Sequence, residues 1–219
     1  MQTRTKHTPK GGRPRKFNKT EALGKMQRRL WAAGFSGASL DSIARSAGIN
    51  RPSLAASFGD KDAIYRQAAA QYVEMIDGRL REALRNEDLE TALTKAFDEA
   101  IEIYTAAGPN GCFIICTAPA EARTNQSCRT LLDQSLNAID GLFLERLKDQ
   151  KARIERSFSN SSILATQLGA ALNSLALRAR AGWSPVRLRK LASGIIRYVL
   201  ASLDIPKKQG RTQPKNLRK

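Results

Sequence analysis

Residues that could carry catalytic or metal chemistry are few in this chain. His7 is the only histidine among 219 residues, and it lies in a strongly basic N-terminal segment. Its isolation argues against Ser-His-Asp and Cys-His arrangements and against histidine-rich metal sites. The sequence also has no phosphate-binding loop, dinucleotide-binding fingerprint or paired-carboxylate motif. These residue types favour a protein that is not an enzyme, and they predict neither a metal nor a cofactor.

The three cysteines, Cys112, Cys116 and Cys128, lie close together in the sequence. An odd number in one short region does not indicate a disulfide framework. Cys112 follows Asn110-Gly111 at the start of a predicted short helix, where backbone N–H groups lower a thiol pKa and favour reactivity. Cys112 is therefore a candidate redox sensor. The alternative is a small buried hydrophobic residue, because free cysteine is commonly buried.

The basic residues are concentrated at the two ends of the chain, whose net charge is +17. Residues 1–66 hold fourteen basic and four acidic residues, whereas residues 67–200 hold seventeen and fifteen. Residues 201–219 hold six and one, which fits a tail that keeps the protein soluble. A nearly neutral body with a basic N-terminal region predicts a polyanionic partner at that end.

Apolar runs are too short for a membrane helix, which needs about 20 residues. The basic N-terminal segment has no apolar stretch behind it, so it does not have the pattern of a secretory signal. Together with the cysteine content, these features predict a cytoplasmic protein that does not bind a membrane.

The elements that must position any functional residues are predicted to be helices. Apolar residues recur with helical spacing through most of the chain, and alternating β-branched runs are almost absent. Asn18, Ser39, Asn50 and Asp60 each precede such a segment and are predicted helix caps. Gly34 is expected to end the first helix. About nine helices and no sheet follow, so the predicted fold is all-α.

The segment at 40–58, LDSIARSAGINRPSLAASF, predicts two short helices joined by a glycine-containing turn. Ala44 is small where the helices cross, Gly48 permits the sharp reversal, and Ile49 and Leu54 hold the second helix against the first. A helix-turn-helix of this kind places its second helix in the major groove of DNA. Helical hairpins that never bind DNA share the pattern, but its location in the basic N-terminal region favours DNA binding.

The sequence resembles the TetR/AcrR family of regulators in three motifs that occur in the family's order and spacing. They are AAGFSGASL, SIARSAGINRPSL and FGDKDAIY, within a close resemblance from about Thr20 to Tyr72. The remainder resembles the family in helix number, helix length and the pattern of the last two helices. The resemblance implies a homodimer with an N-terminal three-helix helix-turn-helix domain and a C-terminal ligand-binding and dimerisation domain. It also implies repression of a palindromic operator, relieved by an unknown small-molecule effector.

The resemblance assigns DNA contacts residue by residue. Ser39 matches a hydroxyl at a helix start that bonds a phosphate, a role compatible with a plain N-cap. Arg51 and Ser53 lie at the start of the recognition helix, where side chains reach base edges or phosphates. Lys61 resembles a phosphate-contacting lysine, with a solvated surface lysine as the alternative. The same predicted interface includes Asn50, Ala55 and Ala56.

The two alanines depart from the family, which usually has an aromatic residue at the first position and often a larger polar residue at the second. Alanine cannot donate a hydrogen bond to phosphate, so either thymine methyl groups are read by apolar contact or the basic arm compensates. Residues 11–16 resemble the core of an AT-hook, whose arginines enter the minor groove of A·T-rich DNA. Simple phosphate attraction is the alternative. The candidate contacts in this arm are Arg13, Arg15 and Lys16.

The long helices are expected to sense a ligand and to dimerise. GCFIIC at 111–116 is similar to a Gly-Cys-aliphatic context in relatives that respond to oxidants or electrophiles, which supports Cys112 as a sensor. The last two helices are expected to pair with their copies as a four-helix bundle. Aromatic and apolar side chains could line a ligand cavity or form ordinary core. The cavity candidates are Tyr72, Met75, Tyr104, Phe113 and Phe143.

The predicted organisation has four parts: a basic arm at 1–17, a DNA-binding domain at 18–66, a sensing and dimerisation domain at 67–205 and a basic tail at 206–219. The predicted function is a transcriptional regulator that represses until a small-molecule or redox signal releases it. The alternative is a non-specific architectural DNA-binding protein that uses the charge of its arm and tail.

Overall fold

The computed structural model describes residues 17–86, 88–106, 110–154 and 161–203. Within these ranges the chain forms nine α-helices and no strand, which confirms the all-α prediction. The helices are α1 (Lys19–Gly37), α2 (Leu40–Ala47), α3 (Arg51–Phe58), α4 (Lys61–Leu84), α5 (Leu89–Thr105), α6 (Phe113–Thr117), α7 (Gln126–Ile154), α8 (Ser161–Arg180) and α9 (Pro185–Ser202).

Side-chain caps begin the helices where the sequence predicts them. The Asn18 side chain accepts hydrogen bonds from the backbone N–H groups of Thr20 at 2.9 Å and Glu21 at 3.2 Å. At the start of α4, the Asp60 carboxylate accepts from the N–H of Ala63 at 2.7 Å. Caps of this kind contribute about 0.5–2 kcal/mol each. The starts of α1 and α4 are therefore fixed by local hydrogen bonds.

The end of α1 differs from the prediction. Gly34 leaves helical geometry, with φ 77° and ψ 169°, but the helix resumes beyond it and extends to Gly37. Just before this kink, Nη2 of Arg180 in α8 donates to the carbonyl oxygens of Trp31 at 3.0 Å and Ala32 at 3.3 Å. A residue far along the chain therefore helps to hold the kinked end of α1.

Helix α4 belongs to both halves of the molecule. It packs against α1 and also against α5, α6 and α7. The domain boundary expected at residue 66 falls inside this continuous helix, and that boundary stays a prediction. Buried apolar residues from α1 through α9 form one connected core. The helix-turn-helix is thus built on the same core as the helical body.

An aromatic cluster joins the N-terminal helices to the short helix α6. Phe113 lies 5.8 Å from Trp31 of α1 and 5.3 Å from Tyr65 of α4, measured between ring centroids. Tyr72 of α4 packs edge-on against Trp31 at 5.3 Å. The Tyr65 hydroxyl also lies 2.7 Å from Oγ1 of Thr117, so a buried hydrogen bond fixes the same contact. These contacts hold α6 in a defined position beneath the N-terminal unit.

Helices α8 and α9 carry large apolar side chains that the other described helices do not cover. Ile163 is 58% exposed and Leu177 is 53% exposed on α8. Val186 and Tyr198 on α9 reach 76% and 68%. The faces opposite these residues contribute to the core through Leu168, Leu175, Leu188 and Ile196. Across the ranges given above, no helix has the length and apolar character needed to cross a membrane.

Candidate nucleic-acid interface

The turn between α2 and α3 has the geometry that its glycine predicts. Gly48 adopts φ 68° and ψ 28°, a left-handed conformation that residues with a Cβ rarely adopt. The backbone N–H of Ile49 donates to the carbonyl of Ala44 at 3.1 Å and closes the turn. Leu54 and Phe58 are buried and fix α3 against the core. The reversal and its two anchors therefore present the other side of α3 to solvent.

Two polar side chains cap the helices of this unit. Oγ of Ser39 accepts from the backbone N–H of Ser42 at 3.2 Å, and Oδ1 of Asn50 accepts from the N–H of Ser53 at 2.8 Å. A hydroxyl carries one proton as well as acceptor lone pairs, so exposed Ser39 can still donate to a phosphate while it caps α2. The Asn50 cap brings the Ser53 backbone into the first turn of α3.

The exposed side of α3 carries Arg51, Ala55 and Ala56. Arg51 and Ala55 are four residues apart and therefore lie on the same face of the helix. Nη1 of Arg51 lies 3.4 Å from Oδ1 of Asp41, and the two side chains are 59% and 61% exposed. Surface ion pairs of this kind contribute about 0–1 kcal/mol, so the pairing leaves Arg51 available to a stronger partner. Ser53 is half-buried at the edge of this face.

Lys61 lies at the junction of α1 and α4. Its ammonium is 4.6 Å from the centre of the Phe35 ring and 3.5 Å from the Ser36 carbonyl oxygen. The side chain is half-buried, and its role as a phosphate contact or as a solvated surface lysine stays a prediction. Its positive charge is held near the C-terminal end of α1, where helix carbonyls favour a cation.

One contact within the unit was missed by the sequence analysis. Nε of Arg29 on α1 donates to Oγ of Ser42 at 3.1 Å, and that hydroxyl donates to the Ser39 carbonyl at 2.8 Å. Arg29 therefore helps to position the start of α2. The consecutive pair Arg28-Arg29 in the first predicted helix was the only signal, and nothing in it distinguishes a positioning arginine from a solvated one.

The basic arm reaches the described part of the chain beside α3. Phe17 stacks on Phe58 with 6.1 Å between ring centroids, and the Lys19 ammonium lies 5.3 Å from the same ring. Phe17, the last residue of the predicted arm, therefore lies at the C-terminal end of α3. The predicted contacts Arg13, Arg15 and Lys16 lie outside the described residues.

Comparisons with known proteins agree with this geometry. Residues 28–68 match the model of the bacterial regulatory proteins of the tetR family. The transcriptional repressor ComR of Escherichia coli K12 is 26% identical over 202 residues, which cover 85% of this chain and 90% of ComR. Residues 28–68 are thus similar to the tetR family of bacterial regulatory proteins, and the likeness to ComR extends well beyond the helix-turn-helix.

Solved TetR-family structures extend the similarity to the whole fold. A cysteine mutant of the regulator CifR, complexed with 26-base-pair double-strand operator DNA, is 25% identical with a TM-score of 0.78. The match covers 85% of this chain and 98% of that one. A regulator from Rhodococcus is 22% identical with a TM-score of 0.72, covering 87% of this chain and all of that one. The second likeness shows the fold alone.

The residues proposed for a ligand cavity lie mainly in the core of the helical body. Tyr72, Tyr104, Phe113 and Phe143 are buried, whereas Met75 is 41% exposed. None of the five lines any of four surface cavities found in the described ranges. Four of them pack between helices in this structure, and their role in a ligand cavity stays a prediction.

The pKa predicted for Cys112 is wrong in direction. Burial raises the pKa of the Cys112 thiol above its ordinary value, and this effect exceeds the opposing effects of the Ile115 and Ile114 backbone groups and the Tyr72 hydroxyl. The thiol does lie at the start of α6, as expected. The effect of burial on the thiol pKa is larger than that of the helix N-terminus. Cys112 is buried, in agreement with the alternative that it is a small buried hydrophobic residue. The sensor role itself stays a prediction.

Proposed function

We propose that this protein is a DNA-binding repressor that acts as a homodimer on a palindromic operator. The observation that carries the proposal is the exposed face of α3, held by the Asn50 cap and by buried Leu54 and Phe58. The CifR complexes, at 25% and 26% identity, are TetR-family structures on double-strand operator DNA and support the same use of this unit. No catalytic step is assigned to the chain, and its place of action is the cytoplasm, with the DNA.

Arg51 is proposed to read base edges or phosphates, because it is exposed at the start of α3 and its ion pair is weak. Ser39 and Lys61 are proposed to bind phosphates, with Lys61 moving from Phe35 to do so. Ala55 and Ala56 present methyl groups that suit the thymine methyl. The arm residues Arg13, Arg15 and Lys16 are proposed to add contacts beside the groove, because Phe17 anchors the arm at the end of α3.

The homodimer is proposed to form through α8 and α9. Four large apolar side chains on these helices are exposed, namely Ile163, Leu177, Val186 and Tyr198. Burying an apolar side chain of this size contributes about 1.5–3 kcal/mol. Two-fold pairing would also present two copies of α3 about 34–36 Å apart, one turn of DNA.

Release from the operator is proposed to follow the binding of a small molecule in the helical body. A redox signal through Cys112 has less support, because burial raises the pKa of that thiol. A ligand can act only if it binds the two states of the body with different affinities. The contacts of Phe113 with Trp31 and Tyr65 connect the body to the N-terminal unit.

The test begins with selection of binding sites from random double-strand DNA by the full chain. We expect a palindrome, bound roughly a thousandfold or more tightly than bulk DNA at the same salt concentration. Competition titrations with the selected site and with scrambled DNA measure that ratio. Equal affinities would favour the architectural alternative, and a chain that binds no DNA would contradict both.

A further inference from the structure

Helices α4 and α7 enclose a cavity of about 270 Å³, open to solvent on one side. An engineered cavity of about 150 Å³ with apolar walls binds benzene, which has six non-hydrogen atoms. At the same volume per atom, a space of about 270 Å³ holds about eleven non-hydrogen atoms. Its wall is largely aliphatic and comes from three helices. The large wall residues are Val73 and Ile76 of α4, Ile114 of α6, and Leu131, Ile139 and Leu142 of α7.

The gap persists because the facing positions carry small side chains. Ala69 and Ala70 on α4 and Ala138 on α7 contribute only methyl groups to the wall. Among the described residues, no side chain therefore fills the space between the larger wall residues. Ala70 and Ala138 are exposed at the mouth of this space, so a guest can enter from solvent and make dispersion contacts with the aliphatic wall.

The polar groups of the wall define the charge of a suitable guest. Asp77 is the one ionisable residue among them, and its carboxylate accepts from Nε of Arg81 at 2.8 Å. Arg81 also contacts Glu145 at 3.2 Å, so two carboxylates already engage this cation. An anionic guest would therefore meet a carboxylate and no free cation at the wall. Gln134 and Ser135 offer an amide and a hydroxyl, which suit one uncharged hydrogen-bonding group.

We propose that this cavity is the effector site and that it takes a compact, uncharged, largely apolar molecule, such as a fused bicyclic ring with one hydroxyl group. Binding of the guest does not depend on the proposed repressor function. Only its effect on operator affinity rests on that function. Ile114 lines the cavity, and its neighbour Phe113 packs on Trp31 of α1. A guest that displaces Ile114 therefore also shifts the packing beneath the helix-turn-helix.

Calorimetric titration of the full chain with 2-naphthol, in the absence of DNA, tests the site directly. We expect one molecule bound per chain, with 2-naphthoate binding at least about tenfold more weakly because its carboxylate would meet the like charge of Asp77 and lose water at an apolar wall. No heat with 2-naphthol at millimolar concentration would overturn the proposal. Equal binding of the naphthoate would overturn the assignment of an uncharged guest.

Filling the cavity locates the binding. Ala138→Leu places a larger side chain in the space and is expected to weaken 2-naphthol binding by at least about tenfold. Asn137→Leu is the matched control, because it adds the same side chain to an exposed neighbouring position outside the wall. Ala70→Leu fills the space from α4 and replaces Ala138→Leu if that variant does not fold. Unchanged binding in a folded, filled variant would show that 2-naphthol binds elsewhere and would overturn the site.

Operator binding separates this inference from the function on which it rests. Saturating 2-naphthol is expected to lower the affinity of the wild type for the selected palindrome about fivefold or more, and to leave Ala138→Leu on the operator. If the chain binds 2-naphthol but no DNA, the repressor function fails and the site stands. If the chain binds its operator and 2-naphthol with no mutual effect, the effector role of the cavity is wrong.

Discussion

The N-terminal unit and the helical body use their side chains in different ways. In the unit, the functional face of α3 is set by caps and turns between residues close in sequence, such as Asn50 with Ser53 and Gly48 with Arg45. In the body, the cavity lies between helices that are distant in sequence. Its wall includes Val73 of α4, Ile114 of α6 and Leu142 of α7. Local hydrogen bonds therefore determine the first site, and long-range packing determines the second.

Phe113 is where the two regions meet, so its truncation should have the largest effect. It is fully buried and contacts Trp31, Tyr65 and Tyr72. We expect Phe113→Ala to lower the free energy of unfolding by about 3–5 kcal/mol, because the cavity left behind cannot collapse fully. Urea unfolding measures this, with the partly exposed Leu136→Ala as control. Equal losses in the two variants would mean that the aromatic cluster does not join the regions.

Arg51→Ala should act on the N-terminal unit alone. We expect it to cost about 1–3 kcal/mol of binding to the selected operator and to reduce discrimination at the base that it reads. The free energy of unfolding should be almost unchanged, because the ion pair with Asp41 is exposed. Titrations on the operator and on single-base variants measure both effects. Arg85→Ala, another exposed arginine, is the control, and the same loss there would remove the base-reading assignment.

Two substitutions at Ser39 can distinguish its role as a helix cap from its proposed contact with DNA. Ser39→Ala should lower the free energy of unfolding by about 0.5–2 kcal/mol, because it removes the cap of α2. Ser39→Asp should keep the cap and the stability but weaken DNA binding through repulsion of the phosphate. Thermal unfolding and operator titration distinguish the two. Full DNA affinity in the aspartate variant would limit Ser39 to capping.

Lys61→Ala should weaken binding about equally on every DNA sequence. A phosphate contact carries no base information, so the slope of log affinity against log salt should fall by about one. Titrations of the operator and of scrambled DNA at several salt concentrations measure that slope. A change in base preference would contradict the phosphate assignment.

Cys112 should have the smallest effect, a pH dependence of the stability of the helical body. Its pKa is raised in the folded chain, so the neutral thiol is favoured there. Its contribution to stability is complete below the ordinary thiol pKa and is lost as pH rises through the raised value. Iodoacetamide should therefore modify Cys112 slowly at pH 8 in the folded chain and rapidly in urea, as mass spectrometry of the modified peptides would measure. Fast modification of the folded chain would restore Cys112 as a reactive sensor.

The same contrast explains what could be predicted from the sequence. The caps at Asn18, Ser39, Asn50 and Asp60 and the turn at Gly48 were predicted, because each depends on residues within a few positions. Such bonds form wherever the local chain adopts the helix, so residue type and spacing are enough to identify them.

Features that depend on distant contacts were not predicted. The lowered pKa expected for Cys112 neglected the burial of α6 among other helices. Met75 suited a cavity wall by type, but it lies on an exposed side of α4. The cavity itself depends on Ala70 and Ala138, residues that give no signal in a sequence because their effect is an absence of volume.

The guanidinium of Arg180 links α8 to α1, so the N-terminal unit cannot be cut from the helical body without losing this contact. It supplies donors to the Trp31 and Ala32 carbonyl oxygens where the bend at Gly34 interrupts the helix. A fragment that stops before α8 would lack the Arg180 donor to these two oxygens. The N-terminal unit is therefore completed by a side chain from α8, and excising the unit should loosen the end of α1 that leads into α2.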